Sequence, residues 1–226
     1  MKKIFLLLTI LIPSLLWAQE STTNYLEGAV PVENGYVTFS HIYKVPSMSK
    51  DKLYKALHMW AVEKFKTSDT FPHNKLVSED EKEGTIGAIG EEFITFSSSF
   101  LALDRTRFYY QFRASCTDGQ CKVQIDHLRY WYEENRDGGT RYNAEELITD
   151  EYGLNKKKTK LARVVGKFRR ETIDFKNDLF KEIENALRTN LAKKEEPVVP
   201  KDTVKVKTIT PKKIVPQETN ESTIKL

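Results

Sequence analysis

Apolar positions along the chain switch between two spacings. Residues 36–45 alternate, with Val37, Phe39, His41 and Tyr43 on one side, which predicts a strand. Pro46 and a choice of Ser47 or Ser49 as N-cap then introduce a helix. Leu53, Leu57, Trp60, Ala61 and Phe65 recur at helical spacing as far as about Lys66. Four strand segments follow. Residues 76–79 form the first, closed by the charged turn Asp80-Glu81-Lys82-Glu83-Gly84. Residues 85–90 and 93–96 continue as a second, where Gly87 and Gly90 suggest a bend or bulge. Residues 106–116 are the clearest strand, with Phe108, Tyr110, Phe112, Ala114 and Cys116 on one face. Residues 121–132 return antiparallel, bringing Cys121, Val123 and Ile125 to the same side. If Cys116 opposes Cys121, then Ala114 meets Val123, Phe112 meets Ile125 and Tyr110 meets His127.

Asp137-Gly138-Gly139 ends the strands, and Asn143 with Glu146 has the form of a capping box on a short helix over 144–149. A last stripe runs through Leu161, Val165, Phe168, Thr172, Phe175, Leu179, Ile183 and Ala186. It predicts a helix over 172–189 that starts as early as Lys158, with Gly166 as a point of interruption. The order strand, helix, four strands, helix implies an α+β fold: an antiparallel sheet with both helices on one face.

The two ends lie outside this pattern. Met1-Lys2-Lys3, an apolar run from Ile4 to Leu16 and the small residue Ala18 have the layout of a signal peptide cleaved after Ala18. An apolar run of about 15 residues is too short for a spanning helix, which needs roughly 20. The expected protein is therefore periplasmic or secreted, with no transmembrane segment after cleavage. Residues 19–33 are polar and aperiodic and read as a leader, and residues 34–190 as one domain. Residues 191–226 combine four prolines with Lys, Thr, Val and Glu and no aromatic residue, and read as a disordered tail. Within it, residues 203–210 alternate like a strand.

Hydrophobic residues make up 39% of the 226, enough for a core. The formal charge of +4 falls to about +2 when Lys2 and Lys3 leave, too near neutral for a nucleic-acid partner. Charge is uneven: residues 155–170 carry eight basic side chains and no acidic one. The two cysteines, Cys116 and Cys121, flank the turn Thr117-Asp118-Gly119-Gln120. In an oxidising compartment they can form a disulfide; the alternative is two buried thiols on one strand face.

The chain resembles an uncharacterised family of secreted Bacteroidetes proteins, a domain of unknown function with a TATA-binding-protein-like (TBP-like) fold. The resemblance rests on Val30-Pro31-Val32-Glu33-Asn34-Gly35-Tyr36-Val37-Thr38-Phe39 and on Lys52-Leu53-Tyr54 with Trp60. It continues in Thr85-Ile86-Gly87-Ala88-Ile89-Gly90 and Gly166-Lys167-Phe168-Arg169-Arg170. It spans roughly residues 30–187 and implies the element order above. It implies no activity, so no catalytic residue is carried over.

The candidate chemistry is sparse. Gly84-Thr-Ile-Gly-Ala-Ile-Gly90 lacks the Lys and following helix of a phosphate loop. His41, His58, His73 and His127 stand at no metal-binding interval, and no cofactor is expected. Strand phase turns His41 and His127 toward the helices, where a hydrolase using His127 is one reading. The opposite face carries Arg107, Tyr109, Gln111, Arg113 and Ser115, facing Lys122, Gln124, Asp126, Leu128, Tyr130 and Tyr132. Tyrosines beside arginines on an open sheet suit recognition. The leading expectation is thus a non-catalytic envelope module that binds a protein, peptide or glycan, with Arg107, Tyr109, Arg113, Tyr130 and Tyr132 as contact residues. A purely structural envelope subunit is the other alternative.

Overall fold

The strand and helix spacings resolve into one antiparallel sheet with two helices across one face. The computed structural model describes residues 22–99 and 102–192. The expected signal peptide at 1–18 and the expected tail from 193 onward, including the alternating segment 203–210, lie outside the described residues.

In chain order the elements are a 3-10 turn (Thr22–Tyr25), β1 (Val32–Glu33), β2 (Tyr36–Val37), β3 (Phe39–Lys44) and α1 (Lys50–Lys64). Then come β4 (Lys75–Asp80), β5 (Thr85–Ser99), β6 (Ala102–Thr117), β7 (Gln120–Tyr132) and β8 (Thr140–Asn143). A 3-10 turn (Ala144–Glu146) and α2 (Gly166–Ala192) close the described part. The main sheet runs β3-β7-β6-β5-β4, all antiparallel, and β8 pairs with the far end of β7. β1 and β2 form a separate hairpin whose turn places Asn34 and Gly35 at φ 50° and 83°, the left-handed pair that a two-residue turn requires.

The helices cover the face carrying Phe108, Tyr110, Phe112 and Ala114. Trp60 and Phe65 from α1 pack on Phe112, and Phe175 from α2 packs on Phe108 and Tyr110. Phe112 is fully buried, a burial of about 3 kcal/mol for a side chain of that size. Gly90 is no bend. It lies directly opposite Tyr110, and a Cβ there would stand 2.2 Å from the Tyr110 ring, so the glycine makes room for the aromatic. The irregularities sit elsewhere, at Val77 in β4 and Phe96 in β5.

The hairpin register is as the pattern predicts from Cys116↔Cys121 to Phe112↔Ile125. Beyond that it departs. Gln111 pairs with Asp126, but Tyr109 pairs with Arg129, so β7 holds one residue more than β6 over that stretch. The extra residue is His127, at φ 52°, the left-handed conformation of a bulge. A one-residue insertion reverses the phase of everything after it. Leu128 and Tyr130, expected in water, are 0% and 1% exposed beneath the helices, and Tyr132 follows them to pack on Phe168 of α2. Arg129 and Trp131 take the open face instead. Tyr110 does not meet His127 as a partner.

α1 begins at the expected N-cap Ser49, but the side chain of Ser49 makes no capping bond. Asp118 at the β6–β7 turn accepts from the Lys50 N–H at 2.7 Å in its place. The Asn143–Glu146 capping box is present, on a 3-10 turn shorter than the helix predicted there. α2 starts at Gly166, where a Cβ would meet Leu161 at 2.7 Å. The lysines at 156–158 and 160 therefore lie on a loop. Residues 24–33 are not a free leader. Val30 is buried, and the fully buried Arg169 donates to the carbonyls of Tyr25, Leu26 and Ile148 and to Asp150, all within 2.7 Å.

Candidate binding surface

The uncovered face is built from cross-strand rows. One row runs Lys75–Ile89–Gln111–Asp126, the next Glu91–Tyr109–Arg129–Asn143, and the third Phe93–Arg107–Trp131–Arg141. Directly opposed residues in such rows have Cβ atoms about 5 Å apart, so their side chains meet. These rows form a cleft of about 520 Å³ floored by Ile89, Tyr109 and Trp131. Lys75, Arg129 and Arg141 line it from three different strands, with His73 at the β4 side.

The floor rests on a buried carboxylate. Glu91, 1% exposed, accepts from the His73 backbone N–H at 2.8 Å, from the His73 ring at 3.0 Å and from Arg107 at 2.8 Å. Burial alone would raise its pKa. The three donors outweigh burial and hold it below the ordinary carboxylate value. Burial, then the Glu91 charge, pushes the Tyr109 phenol up, so Tyr109 is neutral at ordinary pH. Trp131 donates to the Gly138 carbonyl at 2.7 Å, and the Arg141 guanidinium lies 4.4 Å over its ring.

Of the expected contact residues, Tyr109 floors the cleft and Arg113 lies on the same face toward the β6–β7 turn. Arg113 pairs with the buried Asp126, which also accepts from Gln124 at 2.8 Å and holds the His127 ring at 2.7 Å. Arg107 faces the open side but is consumed: two bonds to Glu134, one to Glu91 and one to the Thr70 carbonyl. Tyr130 is a correction. It lies in the core, bonded to Thr172, and burial raises its phenol pKa. Tyr132 is a second correction, held between Asp104 and Lys167 on the helix side.

Arg129, Trp131 and Arg141 are the residues that strict alternation missed. A signal existed: the apolar steps Cys121, Val123, Ile125, Leu128, Tyr130 run 2, 2, 3, 2, and a step of three inside a strand marks an inserted residue. Nothing local points to Arg141, whose place depends on β8 pairing with β7.

The two histidines turned toward the helices by phase do not converge. His127 stacks on Tyr36, whereas His41 pairs with Val123 nearer the hairpin turn and lies against Tyr43 and Phe180. Cys116 and Cys121 are both fully buried and joined as a disulfide. Among the described residues no group of three or more His, Cys, Asp or Glu is placed to hold a metal ion. Among them, too, no helix is long and apolar enough to cross a membrane.

The family model for a domain of unknown function with TBP-like fold, DUF4468, matches residues 39–131. A crystal structure of a DUF4468 family protein from Bacteroides ovatus is 42% identical, with TM-score 0.69, covering 74% of this chain and 95% of that one. The chain belongs to the DUF4468 family. A TBP-like protein from Parabacteroides distasonis, 22% identical with TM-score 0.58, covers 70% of this chain and 97% of its own and shares the fold. No curated protein matches the chain. The DUF4468 match ends at Trp131, so β8 and Arg141, which complete the cleft rim, lie beyond the matched segment.

Proposed function

We infer that the protein is a non-catalytic binding module of the bacterial envelope that recognises its partner, a protein, peptide or glycan, through the open sheet face. One observation carries the reading. Tyr109 and Trp131 floor a cleft on the face that the helices leave bare, and Arg129 and Arg141, which line it, have no carboxylate partner among the described residues. Aromatic and arginine side chains in such surroundings dominate recognition surfaces. Among the described residues no Ser, Thr or Cys lines the cleft, so the Glu91–His73 pair has no side chain of those types beside it to activate. The hydrolase reading through His127 has a ring-orienting carboxylate in Asp126, but Tyr36 stacks on the ring and His41 does not converge with it.

The signal-peptide layout of residues 1–18 and the Cys116–Cys121 disulfide support export to an oxidising compartment. The test is array binding of the mature chain against peptides and glycans, repeated with the double variant Trp131→Ala, Arg129→Glu. Both side chains lie on the open face, and Trp131 gives up one hydrogen bond and one cation–π contact, so the melting temperature should fall by only a few degrees while captured ligands disappear. An unchanged capture profile refutes the reading. Intact mass after export from a Gram-negative host checks cleavage after Ala18.

A further inference from the structure

The cations around the cleft differ in whether a carboxylate neutralises them. Arg107 is neutralised by Glu91 and Glu134, and Arg113 by Asp126. Lys75, Arg129 and Arg141, by contrast, converge on the cleft with no carboxylate at ion-pair distance among the described residues. Arg129 and Arg141 stand diagonally across the β7–β8 pairing, about 7–8 Å apart at Cα, close enough for both forks to reach one anion. The field does not extend. The neighbouring depression toward the end of β7 sets Asp104, Glu133 and Glu134 against Arg105, Arg107 and Arg136; Arg107 pairs with Glu134 and Arg136 with Glu133, and Arg105 lies over the Phe93 ring. With three carboxylates against three arginines there, a polyanion would meet no net positive charge, so the site suits a single anionic group.

The floor narrows the ligand further. Peptides that dock on sheets add to a free edge through main-chain bonds. The floor of this cleft lies mid-sheet, where β6 and β7 are paired on both sides and offer no free edge; the edge strands β4 and β8 supply only its rim. What it presents is the rings of Tyr109 and Trp131 and a volume in the range of small-molecule sites. Resting on the binding-module reading above, we propose that the cleft holds a carboxylated sugar ring, the uronate unit of an acidic oligosaccharide. Arg129 and Arg141 grip the carboxylate, Arg141 from its place over the Trp131 ring, Lys75 adds charge from the opposite wall, and the Tyr109 ring and the edge of Trp131 receive the apolar edge of the sugar.

The test is NMR titration of the mature chain with digalacturonate, neutral galactobiose, a hexaglutamate peptide and a single-stranded oligonucleotide. Digalacturonate should shift the Trp131 indole resonance and bind at least tenfold tighter than galactobiose. Arg129→Gln and Arg141→Gln should each weaken it about tenfold or more, as loss of one charge-assisted contact does. Both variants should keep the wild-type melting temperature. Equal affinity for the neutral and acidic sugars overturns the proposal, as does insensitivity to both arginine variants. Tighter binding of the peptide or the oligonucleotide at the same resonances overturns the sugar assignment and leaves the open-face reading standing. If none of the four probes moves a cleft resonance, the sugar assignment falls, and the array capture above decides the wider reading separately.

Discussion

Two single-residue deletions in β7, three positions apart, should have opposite outcomes. His127 is the extra residue of the bulge. Deleting it leaves Asp126 opposite Gln111, moves Leu128 opposite Tyr110 and keeps Arg129 opposite Tyr109, a regular ladder with every face unchanged. The losses are the ring contact with Asp126 and the stack on Tyr36 at 4.3 Å, about 1–3 kcal/mol together at a half-exposed site. The gain is relief of a left-handed backbone, about 1–2 kcal/mol. The net change should lie within about 2 kcal/mol. Deleting Gln124 is different. The bulge can absorb the missing residue only if Ile125 turns outward and Asp126 turns inward. Exposing Ile125, now 0% exposed, loses about 2–3 kcal/mol, and placing the Asp126 carboxylate among apolar side chains costs several more. That sum reaches the whole stability of an ordinary domain, about 5–15 kcal/mol. Guanidinium unfolding followed by circular dichroism measures both. If the two deletions destabilise equally, or if loss of Gln124 is mild, the bulge does not set the phase of β7.

Arg169→Met removes one donor each from the carbonyls of Tyr25, Leu26 and Ile148, of which Leu26 keeps the Ala29 N–H, and should lower stability by about 3–5 kcal/mol; calorimetry showing a change below about 1 kcal/mol would contradict the clamp. Gly90→Ala pushes a Cβ into Tyr110, itself wedged by Phe65, Phe108 and Phe175, and should cost about 1–3 kcal/mol. Gly87→Ala meets the Ser78 side chain at 3.3 Å and Val77 at 3.5 Å, near ordinary contact, and should change the melting temperature far less. Because the Glu91 pKa is depressed by folding, the unfolded chain takes up its proton first as pH falls. Its stabilisation is present above the ordinary carboxylate value and lost on acidification through the lower folded value. Glu91→Gln should therefore be less stable at neutral pH, and its melting temperature should fall less steeply than wild type between about pH 5 and about pH 3.

The residues themselves determine whatever depends on local periodicity. Leu53, Leu57 and Ala61 specify α1, and the stripe from Phe168 to Ile183 specifies α2, because a helix buries positions three and four apart. Phe108 to Cys116 against Cys121 to Ile125 specify the hairpin, its register and the face under the helices, because apolar partners match in only one alignment. The TBP-like order of elements follows from those pieces. Only the tertiary structure decided the rest. Tyr130 and Tyr132 look like surface tyrosines under strict alternation; the three-residue step from Ile125 to Leu128 marks an insertion, but the packing of Tyr130 and Tyr132 is what fixes it at the left-handed His127. Arg169 reads as one charge in a basic run, yet it is buried because three carbonyls from distant segments converge on it. The cleft joins Lys75, Tyr109, Arg129 and Arg141 from four strands, and no spacing along a chain encodes which strands lie side by side. Periodicity reports which way a side chain points; the company it meets there is set by long-range packing.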